Sequence, residues 1–383
     1  MRALATLATG TDAFIVAGLL PALAHSLGTS VAVAGQVVTL FAFAYAVGSP
    51  LITAATANWP RRVVLTGGLL CFALVNAGSA VSPSIGVLAV TRVLAALLAG
   101  LLAPTAYASA VALVGPSMRG RALAIVLGGT ALSTVLGVPI GLTVGGLAGW
   151  RGGFVFVAVL AVAAAIAVAA LLPGLQRSPR LALRARVTLL GRPEIVSVLA
   201  ITVCANAGAF SVYTYVGPLF GGLGGDGALR ALIFTFGAAG VVGGYLGGRS
   251  ADRWGPVTVL VVILAVFTVN HILLAVWQHA LATSLLYVAV WGIVGWGTTP
   301  PLQHRLVGAA GAVAPVALSL NASALYLGIG LGGLLGGLAV HNAGADALWL
   351  PAGAGGALAL LLLPVSAAAE RRAAAGRLAG AVR

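Results

Sequence analysis

The sequence predicts an all-α integral membrane protein with twelve transmembrane helices. Hydrophobic residues make up 61% of the 383 residues and charged residues only 7%, which leaves too little polar surface for a water-soluble chain. The apolar residues form long runs, and a membrane span needs about 20 of them. Short joints rich in Gly, Pro, Ser and Arg separate the runs, as expected for loops between spans.

Six apolar runs precede a basic stretch and six follow it. The first six lie near 1–25, 32–56, 63–82, 84–113, 121–147 and 150–173. The last six lie near 193–221, 229–251, 256–276, 281–302, 314–340 and 345–367. The first run could be a secretory signal, but Asp12 interrupts it and many spans follow, so we interpret it as a span. We therefore expect an N-terminal six-helix bundle at 1–173, a cytoplasmic basic linker at 174–192, a C-terminal six-helix bundle at 193–367 and a tail at 368–383.

The distribution of arginines predicts the orientation. All 20 basic residues are arginine. If the chain crosses the membrane twelve times, all of them except Arg92, Arg151 and Arg230 lie in loops or termini on the same side of the membrane. The positive-inside rule puts that side, with both termini, in the cytoplasm. The excess of Ala, Gly, Val, Leu and Arg without lysine suggests a bacterial genome, hence the bacterial cytoplasmic (inner) membrane. The scattered arginines do not form the basic stripe of a nucleic-acid-binding domain.

The two halves of the chain resemble each other. GSPLITAATANWPRRVVL at 48–65 follows the second span, and GYLGGRSADRWGPVTVL at 244–260 follows the eighth. This internal repeat predicts two related bundles, an arrangement in which transporters carry a site between the halves.

Three spans carry ridges of small residues. The ridges comprise Gly129, Ser133, Gly137, Gly141, Gly145 and Gly149 in the fifth span, Gly240, Gly244 and Gly248 in the eighth, and Ala324, Gly328, Gly332 and Gly336 in the eleventh. Such ridges let helices approach closely in lipid, and Pro139 favours a bend in the fifth span. We expect the halves to touch and rock along these three spans.

On these residues the chain resembles the major facilitator superfamily, in particular the twelve-span drug:proton antiporter branch of bacterial efflux proteins. The segment from Gly248 to Gly255, with Asp252 and Arg253, is similar to the family's signature A. Its N-terminal counterpart retains Gly48, Pro50, Arg61 and Arg62, and Ala57 or Asn58 stands at the acidic position. Arg92 in TRVLAALLAG matches signature B. Gly137, Pro139 and Gly141 resemble signature C, which is associated with antiporters.

Asp12 and Arg92 are the candidates for proton coupling. A carboxylate inside a membrane helix is costly unless it is paired, protonated or hydrated, so Asp12 either exchanges protons or is paired structurally near the helix end. Arg92 stays charged and needs a partner, which could be Asp12, water or a backbone carbonyl. Relatives often carry an acid at the position of Ala13, directly before the phenylalanine matched by Phe14. A shift by one residue turns the side chain by about 100° around the helix.

Polar and aromatic residues within the C-terminal spans are candidates for a substrate cavity. They are Asn206, Tyr213, Tyr215, Trp291, Trp296, Asn321 and Tyr326. Such residues bind small molecules by aromatic contact and a few hydrogen bonds. The alternatives are bonds between helices and an interfacial aromatic belt.

The sequence and the resemblance together predict a proton-coupled secondary transporter, and not an enzyme. It would export small, lipophilic molecules such as drugs by alternating access, as a monomer, with the proton gradient as its energy source and no cofactor or metal. Export of a sugar, a nucleoside or an endogenous metabolite is the alternative, and the sequence does not separate the two. A membrane sensor would need a soluble output domain, and a membrane enzyme would need clustered catalytic groups; neither is visible.

Overall fold

The computed structural model describes residues 2–115, 118–172 and 183–381, and this part of the chain is helical throughout except for short joints. Arg177 and Arg180 of the predicted linker lie outside the described residues. We call residues 2–172 the N-half and residues 183–381 the C-half. The N-half helices are α1 (Arg2–Ser26), α2 (Val31–Ala55), α3 (Arg61–Ala80), α4 (Ile85–Ala112), α5 (Arg119–Leu132), α6 (Val138–Ala148) and α7 (Trp150–Leu171).

The C-half begins with a short helix and continues with long ones. Its helices are α8 (Leu183–Leu190), α9 (Pro193–Tyr213), α10 (Val216–Phe220), α11 (Gly225–Trp254), α12 (Pro256–Ile272), α13 (Leu274–Trp277), α14 (Leu281–Gly297), α15 (Thr299–Ala310), α16 (Ala314–Ala343) and α17 (Trp349–Ala381).

Ten helical segments of the described residues are long and apolar enough to cross a membrane. One of them, Leu281–Ala343, is 63 residues long and contains α14, α15 and α16. The apolar helix α12 is shorter than a typical span. The predicted segments are therefore all helical, whereas the count of twelve spans stays a prediction.

Local residue chemistry sets the ends of several helices. The Ser30 hydroxyl accepts a hydrogen bond from the backbone N–H of Val33, and Ser84 does the same for Val87, so both serines cap helices at their N-termini. Gly149 and Gly255 have φ of 74° and 82°, and each separates two consecutive helices. Glycine adopts this left-handed conformation without steric cost.

The fifth predicted span has an irregular turn just before Pro139. Residues Ser133–Gly137 form a π-helical turn between α5 and α6, in which the N–H of Val138 bonds to the carbonyl of Ser133. Pro139 follows directly, and it has no N–H to donate to the preceding turn. The wider turn interrupts the α-helical hydrogen bonding of this span, and such π turns are often found at functional positions.

The two halves meet mainly at the end of the molecule where α1 finishes and α2 begins, which we call the closed end. There Thr39 and Phe43 of α2 lie against Gly333 and Gly330 of α16. At this end α1 also contacts α10, whereas the turn at 133–137 contacts α11 nearer the middle of the bundle, beside Gly10 and Thr11 of α1. At the opposite end, a cavity of about 470 Å³ opens beside α1, α4 and α5.

The small-residue ridges are not where the sequence led us to expect them. The ridge of the fifth span packs on α1 of its own half, because Thr11, Ile15 and Leu19 lie where side chains on Gly137, Gly141 and Gly145 would be. Likewise Gly240 packs on Trp296, and Gly328 on Asn206, both within the C-half. A ridge needs a close neighbour but does not specify which one. The contacts between halves use other small residues of α11 and α16, namely Gly237, Gly330, Gly333 and Gly337.

Candidate functional site

A buried ion pair joins α1 to α4 in the interior of the N-half. Both guanidinium Nη atoms of Arg92 donate to the carboxylate oxygens of Asp12, each over 2.7 Å. The side chains are 0% exposed for Asp12 and 1% exposed for Arg92. A bidentate Arg–carboxylate pair is among the strongest side-chain hydrogen-bonding arrangements. Arg92 therefore has the partner that the sequence left open.

Aromatic rings enclose the guanidinium of Arg92. Its central carbon lies 4.7 Å from the ring centre of Phe41 on α2 and 5.3 Å from that of Phe154 on α7. Asn76 of α3 accepts a further, longer bond of 3.4 Å. The charge is thus held by one carboxylate and the negative faces of two rings, which together offset the loss of water.

A second feature is a cavity between the halves. It is lined by Phe14, Ala205, Asn206, Ala209, Phe210, Phe236, Phe267, Trp291, Gly295, Trp296, Thr298, Thr299 and Leu325. Phe14 is its N-half contribution. Its volume is about 50 Å³, well below that of a typical ligand pocket. A drug-sized molecule therefore enters only if the halves or the lining rings move apart.

Phe14 connects the ion pair to this cavity. Its ring lies 5.9 Å from that of Phe210, 5.8 Å from that of Tyr213 and 6.4 Å from that of Trp296. Phe14 comes two residues after Asp12, so the two side chains project about 200° apart around α1. Asp12 consequently faces α4 while Phe14 faces the cavity.

The structure distributes the seven predicted cavity residues over three environments. Asn206, Trp291 and Trp296 line the cavity, and Tyr213 lies directly behind it, 6.2 Å from the ring of Trp291. Asn321 accepts a bond of 2.8 Å from Thr202 inside the C-half, away from the lining.

The remaining two tyrosines lie between the halves. Tyr215 donates to the carbonyl of Gly333 over 3.0 Å near the closed end. Tyr326 stacks on Tyr45 of α2 with ring centres 3.6 Å apart. Both sites correspond to the alternative that the sequence allowed, contacts between helices.

The comparison with known proteins gives the family. A model described as "Major Facilitator Superfamily" matches residues 2–314. The chain belongs to the major facilitator superfamily. It is 34% identical over 342 residues to a chloramphenicol resistance protein of Streptomyces lividans, covering 88% of this chain and 87% of the relative. It is 33% identical over 359 residues to a chloramphenicol efflux pump of Mycobacterium tuberculosis, covering 90% and 86% respectively.

A solved structure of the same superfamily supports the fold. The crystal structure of a D-xylose-proton symporter matches with a TM-score of 0.75 over 94% of this chain and 95% of that chain, at 16% identity. This likeness concerns the fold alone. The chain is therefore a multi-pass membrane transporter with the all-α fold of the major facilitator superfamily.

The superfamily's signature positions have different surroundings in the two halves. Arg61 donates to the carbonyl of Ala108 over 2.9 Å, and Arg62 donates to that of Ala169, so the two arginines reach carbonyls near the C-terminal ends of α4 and α7. Cations there interact favourably with the helix dipole. Gly48 packs closely on Leu97.

In the C-half the corresponding joint is more open to solvent. Asp252 and Arg253 are exposed, and the guanidinium of Arg253 lies 5.5 Å from the Trp254 ring. Gly248 has a neighbour only at Pro300, and Gly255 provides the left-handed residue that ends α11.

Sequence reasoning missed most of the aromatic residues of both sites. Phe41 and Phe154 around Arg92, and Phe210, Phe236 and Phe267 around the cavity, were not singled out, because a phenylalanine in an apolar span has no pattern that separates it from core packing. Asn76 was detectable in principle, since a side-chain amide within an apolar run requires a partner.

Proposed function

We propose that this transporter exports small lipophilic molecules from the cytoplasm in exchange for protons, by alternating access. The observation that carries the proposal is the Asp12–Arg92 pair. Replacing a buried ion pair by apolar residues is often neutral or stabilising. An ion pair inside an apolar bundle is therefore better explained by a functional role than by a contribution to the stability of the fold.

The chemistry of the pair suits a proton site. Protonation of Asp12 would remove its negative charge and weaken both charge-assisted bonds to Arg92. The guanidinium would then depend mainly on Asn76, on the backbone carbonyl of Asp12 and on the rings of Phe41 and Phe154. Such a change in the contacts of α1 is a local electrostatic event that can shift the equilibrium between two arrangements of the halves.

A route from this site to the substrate runs along α1. A molecule that presses on Phe14 displaces the same helical turn that carries Asp12. In the proposed cycle, proton entry from outside favours the arrangement that releases substrate outward, and proton release to the cytoplasm resets the pair. A membrane potential adds about 2.3 kcal/mol per charge per 100 mV to this exchange.

The lipophilic substrate class is supported by the cavity wall and by the relatives. Most lining residues are apolar or aromatic, whereas a sugar or nucleoside site would need more hydrogen-bonding groups. Two relatives are named for chloramphenicol resistance or efflux. Export of a sugar, a nucleoside or an endogenous metabolite stays the second candidate.

The test is substrate-dependent proton movement in proteoliposomes under an imposed pH gradient. The panel holds lipophilic antibiotics, dyes, nucleosides and sugars. We expect a lipophilic member to elicit proton flux and D12N to abolish it. Because D12N leaves Arg92 buried without a counter-charge, the double variant D12N/R92Q is measured beside it. D346N makes the same chemical change at an exposed acid and serves as the control. Undiminished proton-driven export by D12N or by the double variant would refute the coupling role of the pair.

A further inference from the structure

The charges and polar atoms around the cavity define its preferred ligand more narrowly than lipophilicity does. The sequence has six acidic residues, and all of them lie in the part of the chain that the structure describes. Asp12 is the one in the interior of the N-half bundle, and both of its carboxylate oxygens are bonded to Arg92. Glu194, Asp226, Asp252 and Asp346 lie at helix ends, and Glu370 is paired with Arg305.

A cationic ligand would therefore find no free counter-charge in the cavity. The lining contains no Asp or Glu, and Asp12 faces the other side of α1. Transfer of an unpaired ion out of water into such a site is strongly unfavourable. Aromatic faces attract cations, but this attraction does not repay the loss of hydration of an ion that has no counter-charge. A neutral ligand avoids this penalty.

Several buried polar groups next to the cavity lack a hydrogen-bond partner in the described part of the chain. The indole Nε1–H of Trp291 is buried without a hydrogen-bond partner, and so is the hydroxyl of Tyr213. Their side chains are 1% and 3% exposed. Buried donors are normally satisfied, and an unsatisfied one requires an explanation. Trp291 and Gly295 both line the cavity, and the Nε1 of Trp291 lies 3.6 Å from the position that a Cβ on Gly295 would take, so the N–H edge of the indole lies against this part of the wall.

We infer that the cavity selects uncharged aromatic molecules that carry hydrogen-bond acceptors such as carbonyl, nitro or ether oxygens. The rings of Phe14, Phe210 and Trp296 accommodate the flat apolar part of the ligand. Trp291, with Tyr213 behind it, donates to the oxygen. This inference rests on the proposed function, because it takes the cavity to be the transport site.

The sharpest test compares two ligands that differ in charge alone. A tert-butyl group and a trimethylammonium group have nearly the same shape, so 4-tert-butylacetanilide and 4-(trimethylammonio)acetanilide form a matched pair. Binding to the purified full-length protein is measured in detergent by calorimetry. We expect the neutral acetanilide to bind at least about ten-fold more tightly. Equal or tighter binding of the cation would overturn the inference.

A second comparison tests the donor. W291F keeps an aromatic ring but removes the N–H, so binding of 4-tert-butylacetanilide should weaken by roughly two- to ten-fold. Binding of 4-tert-butyltoluene, which has no acceptor, should change little. W277F is the matched control, because Trp277 also has an unpartnered N–H but lies outside the cavity lining. If W291F weakens both ligands equally, or not at all, the donor role is wrong.

The outcome is separable from that of the proposed function, since binding is measured without a gradient. Preference for the neutral ligand without proton movement in proteoliposomes would retain the ligand class and refute antiport. Proton-coupled export with a preference for cations would retain antiport and refute the proposed ligand class.

Discussion

At the scale of single residues, the Asp12–Arg92 pair has the largest energetic consequence. Arg92 is 1% exposed and its Nε has no partner, so the carboxylate is its main compensation. Removing one member of a buried pair leaves a charge uncompensated, which costs about 3–5 kcal/mol, whereas removing both leaves none. Phe41 and Phe154 soften this penalty but carry no charge.

Thermal unfolding of purified protein in detergent tests this argument. We expect R92Q to be destabilised by about 3–5 kcal/mol because Asp12 stays buried and unpaired. The double variant D12N/R92Q should regain most of that stability, although it does not couple transport to protons. Equal melting temperatures for R92Q and the double variant would mean that the pair's charge has no part in stability.

At the scale of elements, the approach of α11 to the turn at 133–137 brings the halves together. A Cβ on Gly237 would lie 2.8 Å from the carbonyl carbon and oxygen of Thr134. Such a backbone neighbour does not move aside as a side-chain tip does. Gly237 is therefore needed for its small size, while Gly244, one of the predicted ridge residues, has nothing within 4 Å of its Cβ position.

We predict that G237A pushes α11 away from the turn at 133–137 and that the resulting separation of the halves extends to the closed end, whereas G244A has no such effect. Spin labels at V33C on α2 and N342C on α16, with Cys71 and Cys204 replaced by alanine, would report the distance between the halves. The distance in G237A should be longer or more widely distributed than in the parent. An unchanged distribution in G237A would mean that the α11 contact does not hold this end together.

At the scale of the whole molecule, the closed end and the orientation together define the state. The contacts between halves extend from the closed end, where Gly333 lies against Thr39, to the middle of the bundle, where Tyr326 stacks on Tyr45. If the arginine-rich side is cytoplasmic, as the positive-inside rule predicts, the closed end faces the outside. The orientation of the chain in the membrane therefore decides which side the closed end faces.

Cysteine labelling in intact cells tests the orientation with two matched substitutions. D346C lies between α16 and α17, and D252C lies near the end of α11; both aspartates are exposed. In a background without Cys71 and Cys204, an impermeant maleimide should label D346C in intact cells and D252C only after permeabilisation. The opposite pattern would reverse the topology and place the closed end on the cytoplasmic side.

The amino-acid sequence by itself determined the fold class, the helical segments and the two residues of the ion pair. Those features depend on composition, on hydrophobic runs and on the cost of a charge in lipid, and each of these is local to a segment. The bend that Pro139 favours stays a prediction; the structure shows a π-helical turn just before this residue. The comparison with known proteins confirmed the superfamily.

Tertiary structure alone decided which surfaces meet. The ridge at Gly137 and Gly141 packs on α1 and not on the other half, and Asn321 bonds to Thr202 and not to the cavity. Arg305, which the sequence placed in a cytoplasmic joint, is buried and bonded to Glu370 and Ser366 over 2.9 and 2.7 Å. Small residues in a helix indicate that another helix packs closely, and polar side chains indicate a polar neighbour. Which helix that neighbour is depends on how all the helices pack together.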